Sequence, residues 1–195
     1  MSGPDWDLVA KNNVTARVKP KKDMVATDGQ KLKLGDVTIT MYITPGHTPG
    51  TLSLIIDPLW NKLSVQPDNV RHVATLWGGA DINIGRAGVQ YWTDGQTMMK
   101  TYIASLKRFV DLGEKAGADT LLTNNMKHGN IAEKIRVWRF INPDESGGGQ
   151  VGGILENTAK VEHDGHPFVS KDAVKRFYTV LGECYQAQLA WRSGS

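Results

Sequence analysis

The sequence predicts an α/β fold in which a mixed β-sheet is covered by helices. Three short runs, Val37–Tyr42, Leu52–Ile56 and His72–Trp77, have the alternating or continuously apolar pattern of strands. The segment Thr93–Lys115 instead carries apolar residues at helical spacing. Strands followed by helices that cover them are typical of layered α/β domains.

The N-terminal third is predicted to hold one short helix and two strands. Ser2 suits the N-cap of the helix. Asp-Gly and Gly-Asp pairs at 28–29 and 35–36 predict turns that lead into strands at Lys31–Leu34 and Val37–Thr44. Along the second of these strands apolar residues alternate with polar or amphipathic ones, which indicates a strand with two unlike faces.

The middle of the chain is predicted to alternate strands with a loop and a long helix. Leu52–Ile56 is apolar enough for a central strand, whereas 57–71 is rich in Pro, Asn and Asp and predicts a loop. His72–Trp77 predicts the next strand. Thr93 and Asp94 suit the start of the helix, whose apolar positions are Met99, Tyr102, Ile103, Leu106, Phe109 and Val110.

The C-terminal third predicts a strand at Thr120–Thr123 and a helix from Asn130 to about Phe140. Five glycines within Asp144–Gly153 predict a flexible loop. A last helix is predicted from Ser170 onward. Its expected buried face consists of Val174, Phe177, Val180, Leu181, Cys184 and Leu189.

Length and composition bound the classes of protein that the chain can represent. Its 195 residues suit one domain, predicted over 1–192 with a tail at 193–195, that buries roughly 70% of its unfolded surface. The single cysteine, Cys184, excludes an intrachain disulfide. Scattered charges and the absence of a ~20-residue apolar run argue against nucleic-acid and membrane partners. No signal peptide is recognisable, so the compartment is cytoplasmic by default and secreted only if an upstream signal exists.

The segment 43–51, Ile-Thr-Pro-Gly-His-Thr-Pro-Gly-Thr, is the most informative stretch. It places His47 on a Pro/Gly turn between two predicted strands. Proline fixes its own φ and restricts the preceding residue, so the histidine is held with little conformational freedom. Such a histidine suits a metal ligand; the alternative is a tight hairpin turn with an incidental histidine.

Thr44–Gly50, T-P-G-H-T-P-G, resembles the third metal-ligand segment of the metallo-β-lactamase superfamily. Leu76–Gly79, Leu121–His128 and Pro167–Val169 resemble further segments of that superfamily in its order, and the combination is most similar to hydrolases of the third subclass. The resemblance implies an αββα sandwich, of which the chain would hold the C-terminal portion.

The resemblance also implies zinc, with two ions in the intact family site. His47 would then be the third ligand of the first zinc, and His128 a ligand of the second. The first metal motif of the family, H-x-H-x-D-H, is absent, because no two of the five histidines are separated by a single residue. In the family this motif precedes a segment like Ser2–Asp7, so we expect a missing N-terminal part, an incomplete zinc site and an inactive chain.

Residues near the second family segment are candidates for a substrate cleft. Gly78, Gly79, Trp77 and Tyr91 would line it, although packing of the aromatic side chains in the core is the alternative. Asp81 is expected to cap a turn rather than to bind metal.

Three further histidines invite a metal role that the resemblance does not assign. His163 and His166 flank an Asp-Gly pair, which favours a solvated loop. His72 opens a predicted strand, where a hydrogen-bonded structural histidine is expected.

The sequence therefore predicts part of a zinc hydrolase that opens a lactam, lactone, ester or thioester of a small-molecule substrate. Within enzymes, a thioesterase similar to glyoxalase II is the alternative. A different alternative is a non-catalytic binding or assembly module, because half a sandwich would expose an apolar sheet face and could form a homodimer.

Overall fold

The computed structural model describes residues 1–11, 20–60, 70–82, 85–86, 89–125, 132–136 and 168–193. Its helices are α1 (Gly3–Lys11), α2 (Gly95–Ala116), α3 (132–136) and α4 (Lys171–Ser193). Its strands are β1 (Gln30–Leu34), β2 (Val37–Ile43), β3 (Leu52–Trp60), β4 (Arg71–Trp77), β5 (Gly85–Arg86), β6 (Val89–Gln90) and β7 (Thr120–Thr123).

The main sheet has five strands in the order β1-β2-β3-β4-β7. The first three junctions are antiparallel and β4 pairs with β7 in parallel, so the sheet is mixed, as predicted. The predicted turn at Gly35-Asp36 joins β1 to β2, with Leu34 opposite Val37. Gly35 has a φ of 62°, a backbone conformation that side chains disfavour.

Strand β3 is longer than the sequence predicts. A loop was expected from residue 57, but the strand continues to Trp60 across a register shift between Ile56 and Leu59. Pro58 lacks an amide hydrogen, so it predicts a break, yet a local irregularity in the ladder accommodates it. Arg71 of β4 donates to the Asp57 carboxylate across this irregularity. Residues 61–69 of the predicted loop lie outside the described residues.

The hydrophobic core lies between the sheet and the two long helices. Ile55 of β3 and Leu121 of β7 lie opposite Thr75 of β4, so all three share one face of the sheet. Helices α2 and α4 pack over that face. The largest buried side chains of this layer are Trp77, Met98, Met99, Tyr102, Phe109, Tyr178 and Tyr185.

Helix α2 confirms the most regular helical pattern of the sequence. Asp94 is its N-cap, and the Asp94 carboxylate accepts from the Thr97 amide at 2.7 Å. Gly117 ends the helix in a left-handed conformation with a φ of 77°. Capping residues therefore define both ends of the helix.

Helix α4 is present, and its buried face is confirmed in part. Four of the six predicted residues lie in the core or pack against it: Val174, Phe177, Leu181 and Leu189. Val180 is 57% exposed and Cys184 is also exposed, whereas Tyr178 and Tyr185 are buried. The prediction followed aliphatic residues and omitted the tyrosines. The hydroxyl group of Tyr185 tolerates burial because it has hydrogen-bond partners.

The opposite face of the sheet is also apolar; we call it the outer sheet face. Side chains alternate along a strand, so residues flanking Ile55 and Thr75 point away from α2 and α4. Two rows of opposed residues make up this face, and most of their side chains are half-buried. The rows are Leu32, Ile39, Ile56, Ala74 and Thr120, and Gln30, Met41, Leu54, Leu76 and Leu122.

Two C-terminal expectations fall partly or wholly outside the described residues. Helix α3 at 132–136 lies within the helix predicted from Asn130 to about Phe140, and the rest of that helix is not described. The loop predicted for Asp144–Gly153 lies entirely outside. None of the described helices combines the length and apolar character needed to cross a membrane.

Candidate metal centre

The loop between β2 and β3 carries His47 and is cross-linked by its own backbone. The Thr44 amide donates to the Thr51 carbonyl at 2.8 Å, and the Gly46 amide to the Thr48 carbonyl at 3.1 Å. The Thr51 hydroxyl accepts from the Thr48 amide at 2.8 Å. These bonds add to the restriction that the prolines place on the backbone, so the loop that carries His47 has little conformational freedom.

Helix α1 clamps the far side of this loop. The Asp5 carboxylate accepts from the Gly50 amide and from the Thr48 hydroxyl, each at 2.9 Å. The buried Ser2 hydroxyl donates to the Gly50 carbonyl at 2.7 Å. A Cβ on Gly50 would lie 2.0 Å from the Ser2 Oγ, so this contact requires glycine. The sequence predicts Ser2 as a helix cap and indicates no role for Asp5.

His47 is half-buried, and its ring is oriented by a backbone acceptor. Its Nδ1 lies 2.8 Å from the carbonyl oxygen of Asp81. A carbonyl can only accept, so Nδ1 carries the hydrogen in this contact. In the neutral ring Nε2 then has a free lone pair. Histidines that bind metal have this arrangement, with the second nitrogen donating to a carbonyl or carboxylate.

The segment 78–81 follows β4 and packs directly on His47; we call it the glycine segment. A Cβ on Gly79 would lie 2.4 Å from the His47 Cβ, and a Cβ on Gly78 would lie 2.0 Å from the Leu52 carbonyl oxygen. Asp81 reaches His47 through its backbone. Its carboxylate lies 3.5 Å from the side-chain amide of Asn125.

Two buried tyrosines hold the glycine segment from behind. Tyr102 of α2 donates to the Asp81 carbonyl at 2.6 Å, and Tyr185 of α4 donates to the Ala80 carbonyl at 3.1 Å. Their ring centroids lie 4.6 Å apart. Burial raises the pKa of both phenols, so both stay protonated and can donate. The helical spacing of Tyr102 predicted only core packing, and Tyr185 was not singled out.

The aromatic candidates for a substrate cleft have different positions. Trp77 is 3% exposed, its Nε1 donates to the Tyr185 hydroxyl at 3.3 Å, and its ring packs against Phe109. This position matches the alternative of core packing. Tyr91 is half-buried. The lining of a cleft by Tyr91, Gly78 and Gly79 stays a prediction.

His72 is a buried structural histidine, as expected. Its exposed fraction is 6%, and its Nδ1 lies 2.8 Å from the Asp119 carboxylate. The same carboxylate accepts from the Val73 amide at 3.1 Å. His72 therefore ties β4 to the start of β7.

The described residues do not form a complete zinc site. A catalytic zinc needs three protein ligands and an open position. Within the described ranges, no group of three or more His, Cys, Asp or Glu side chains converges in that way. His128, His163 and His166 lie outside the described residues. The orientation of His47 fits a metal ligand, and no catalytic step through a metal follows from this part of the chain.

Comparison with known proteins identifies the architecture. No protein-family model matches the chain, and no curated protein matches it significantly. Among solved structures, the subclass B3 metallo-β-lactamase BJP-1 of Bradyrhizobium japonicum is 20% identical, with a TM-score of 0.58 over 94% of this chain and 56% of that one. FEZ-1 of Legionella gormanii is 19% identical, with a TM-score of 0.63 over 96% and 59%.

A third match extends the same likeness. The class B3 di-zinc enzyme LRA-12 from an Alaskan soil metagenome is 16% identical, with a TM-score of 0.52 over 86% of this chain and 50% of that one. The chain thus spans between 50% and 59% of the length of these three structures. At such identities the likeness establishes the fold, and it confirms the predicted α/β class.

Proposed function

We propose that this chain, which has part of the metallo-β-lactamase fold, supplies His47 as one ligand to the zinc site of a hydrolase. The observation that carries the proposal is the 2.8 Å contact between His47 Nδ1 and the Asp81 carbonyl, which leaves Nε2 free for a metal. His128 is proposed as a ligand of a second zinc on the family resemblance alone.

The chemistry follows from what zinc does to water. Zinc bound by His47 and further ligands would supply an activated water for attack on the carbonyl of a lactam, lactone, ester or thioester. The chain's own part is to hold His47: α1 clamps its loop, and the glycine segment fixes its ring. A lactam is the leading substrate class because the three similar structures are named as β-lactamases. A thioester is the second.

We further propose that the isolated chain is catalytically inactive. Its sequence lacks the H-x-H-x-D-H motif, so the ligands that this motif supplies in the family have no counterparts here. One imidazole provides too little coordination energy and no tetrahedral geometry. We expect zinc to bind weakly and to be lost on dialysis.

The test is a zinc titration of the dialysed chain, with metal content measured by mass spectrometry. We expect well below one equivalent retained after dialysis, weak binding on titration, and no hydrolysis of a chromogenic cephalosporin or a thioester. His47→Ala should reduce the weak binding, whereas the matched control His163→Ala should leave it unchanged. Identical titrations of the original chain and His47→Ala would refute the ligand role. Two retained equivalents with hydrolysis would refute the inactivity.

The outer sheet face supports a second candidate function, that of an assembly module. The two rows that define this face are mostly apolar and contain no charged residue, and at its edge Leu32 and Leu34 are 42% and 71% exposed. A surface without charge is complementary to itself, so the proposed occupant is a second copy of this chain. Sedimentation across a concentration series should show a dimer that Leu34→Lys weakens. A monomer at every concentration would contradict this candidate.

A further inference from the structure

We infer that Tyr102 is a positioning residue for His47. Its hydroxyl acts through the Asp81 carbonyl to fix both the orientation and the protonation site of the imidazole. The inference rests on the proposed function only where it treats His47 as a metal ligand. The protonation site of the imidazole is a property of the metal-free protein.

The three groups share one oxygen atom. The Asp81 carbonyl accepts from the Tyr102 hydroxyl at 2.6 Å and from His47 Nδ1 at 2.8 Å. A carbonyl oxygen has two lone pairs, so the two donors together satisfy it. The phenol thus holds the carbonyl in the direction that the imidazole needs.

The ring of Tyr102 also contacts the loop that carries His47. A Cβ on Gly46 would lie 2.5 Å from the Tyr102 Cδ1, so the backbone just before His47 rests on the ring. One turn further along α2, the Ser105 hydroxyl donates to the Pro45 carbonyl at 2.7 Å. Helix α2 therefore sets the position of both His47 and its acceptor.

Burial makes the hydroxyl of Tyr102 hard to replace. The side chain is 0% exposed, so bulk water has no direct access to it. Tyr185 packs against it and holds the neighbouring Ala80 carbonyl. Removing the Tyr102 hydroxyl should take one of these two donors from the Asp81 carbonyl and give the carbonyl more freedom to rotate.

The protonation site decides whether His47 can bind a metal. Which nitrogen of a neutral histidine carries the hydrogen is set by the hydrogen bond that the other nitrogen makes. A firm bond from Nδ1 keeps Nε2 unprotonated. A weakened bond allows the form with hydrogen on Nε2, which has no lone pair there for the metal. Loss of such support typically lowers metal affinity by about 10- to 100-fold.

The experiment is long-range proton–nitrogen NMR on histidine-labelled, metal-free chain, at a pH at which the imidazole is neutral. In the original chain we expect His47 to carry its hydrogen on Nδ1. Tyr102→Phe should give a mixture of both forms. The same substitution at Tyr178, a buried tyrosine of α4, should leave His47 unchanged.

Several outcomes would overturn the inference. They are hydrogen on Nε2 in the original chain, an unchanged His47 in Tyr102→Phe, and an equal response to Tyr178→Phe. A zinc titration of the same samples separates the two proposals, with weaker binding expected in Tyr102→Phe. If the nitrogen signals respond as expected but zinc never perturbs His47, the proposed function fails and the positioning role stands.

Discussion

Replacing Gly79 by alanine tests the packing that holds His47, the proposed metal ligand, in position. The added Cβ would lie 2.4 Å from the His47 Cβ and 2.7 Å from its Cγ. Ordinary contacts of a Cβ begin near 3.4 Å, so either His47 or the glycine segment must move by about 1 Å. The loop of His47 is tied to α1 and α2, and the glycine segment is tied to α2 and α4. A shift of either the His47 loop or the glycine segment would therefore break hydrogen bonds.

The cost of this substitution follows from overpacking in a constrained site. Added methyl groups in well-packed regions destabilise by about 1–3 kcal/mol. Metal sites tolerate deviations of about 0.2 Å in ligand distance, so the expected displacement should also reduce zinc affinity at least about tenfold.

The assay is urea unfolding followed by circular dichroism, paired with a zinc titration. Gly182→Ala is the matched control, because its Cβ would meet Leu106 Cδ2 at 3.5 Å, an ordinary contact within a helix. It should stabilise the chain by about 0.5–1 kcal/mol. Equal free energies of unfolding for the two variants would refute the packing argument.

Three further predictions concern the supports of the fold. Asp5→Ala removes two hydrogen-bond acceptors from the loop of His47 and should destabilise the fold by about 1–3 kcal/mol. The NMR signals of His47 should broaden, and unchanged sharp signals would contradict the proposed support of the loop by α1. Gly117→Ala forces a side chain into the left-handed conformation and should cost about 1–2 kcal/mol in urea unfolding, and no cost would contradict that backbone. Burial opposes ionisation of Asp28, but hydrogen bonds from Arg108 and a backbone amide outweigh it and lower its pKa below 3.8. Its stabilising effect is therefore present above that value and is lost as pH falls through the lowered pKa, and Arg108→Gln should flatten this acid dependence.

Local pattern was sufficient to predict most of the described fold. Alternation placed β2, capping chemistry placed α2, and a short apolar run placed β7 at its observed bounds. The end of β3 was missed because Pro58 signals a break that only the pairing with β4 overrides. The buried face of α4 was predicted only in part, because helical spacing alone did not separate the exposed Val180 and Cys184 from the buried Tyr178 and Tyr185.

The candidate site could be predicted only where chemistry is local in sequence. The Pro/Gly turn identified His47 because the ligand and its support are neighbours along the chain. Asp5 lies 45 residues from the Gly50 amide that it holds, and Tyr102 lies 21 residues from Asp81. Contacts at such separations arise from packing of α1 and α2 against the loops, which no spacing rule encodes.

The most direct test of the central claim is a zinc titration followed through the imidazole nitrogens of His47 and His72. The account predicts that zinc shifts the Nε2 signal of His47 while its Nδ1 keeps the hydrogen-bonded proton. The signals of His72, which is held by Asp119, should not move. Zinc that leaves His47 unperturbed, or that binds through its Nδ1, would contradict the account.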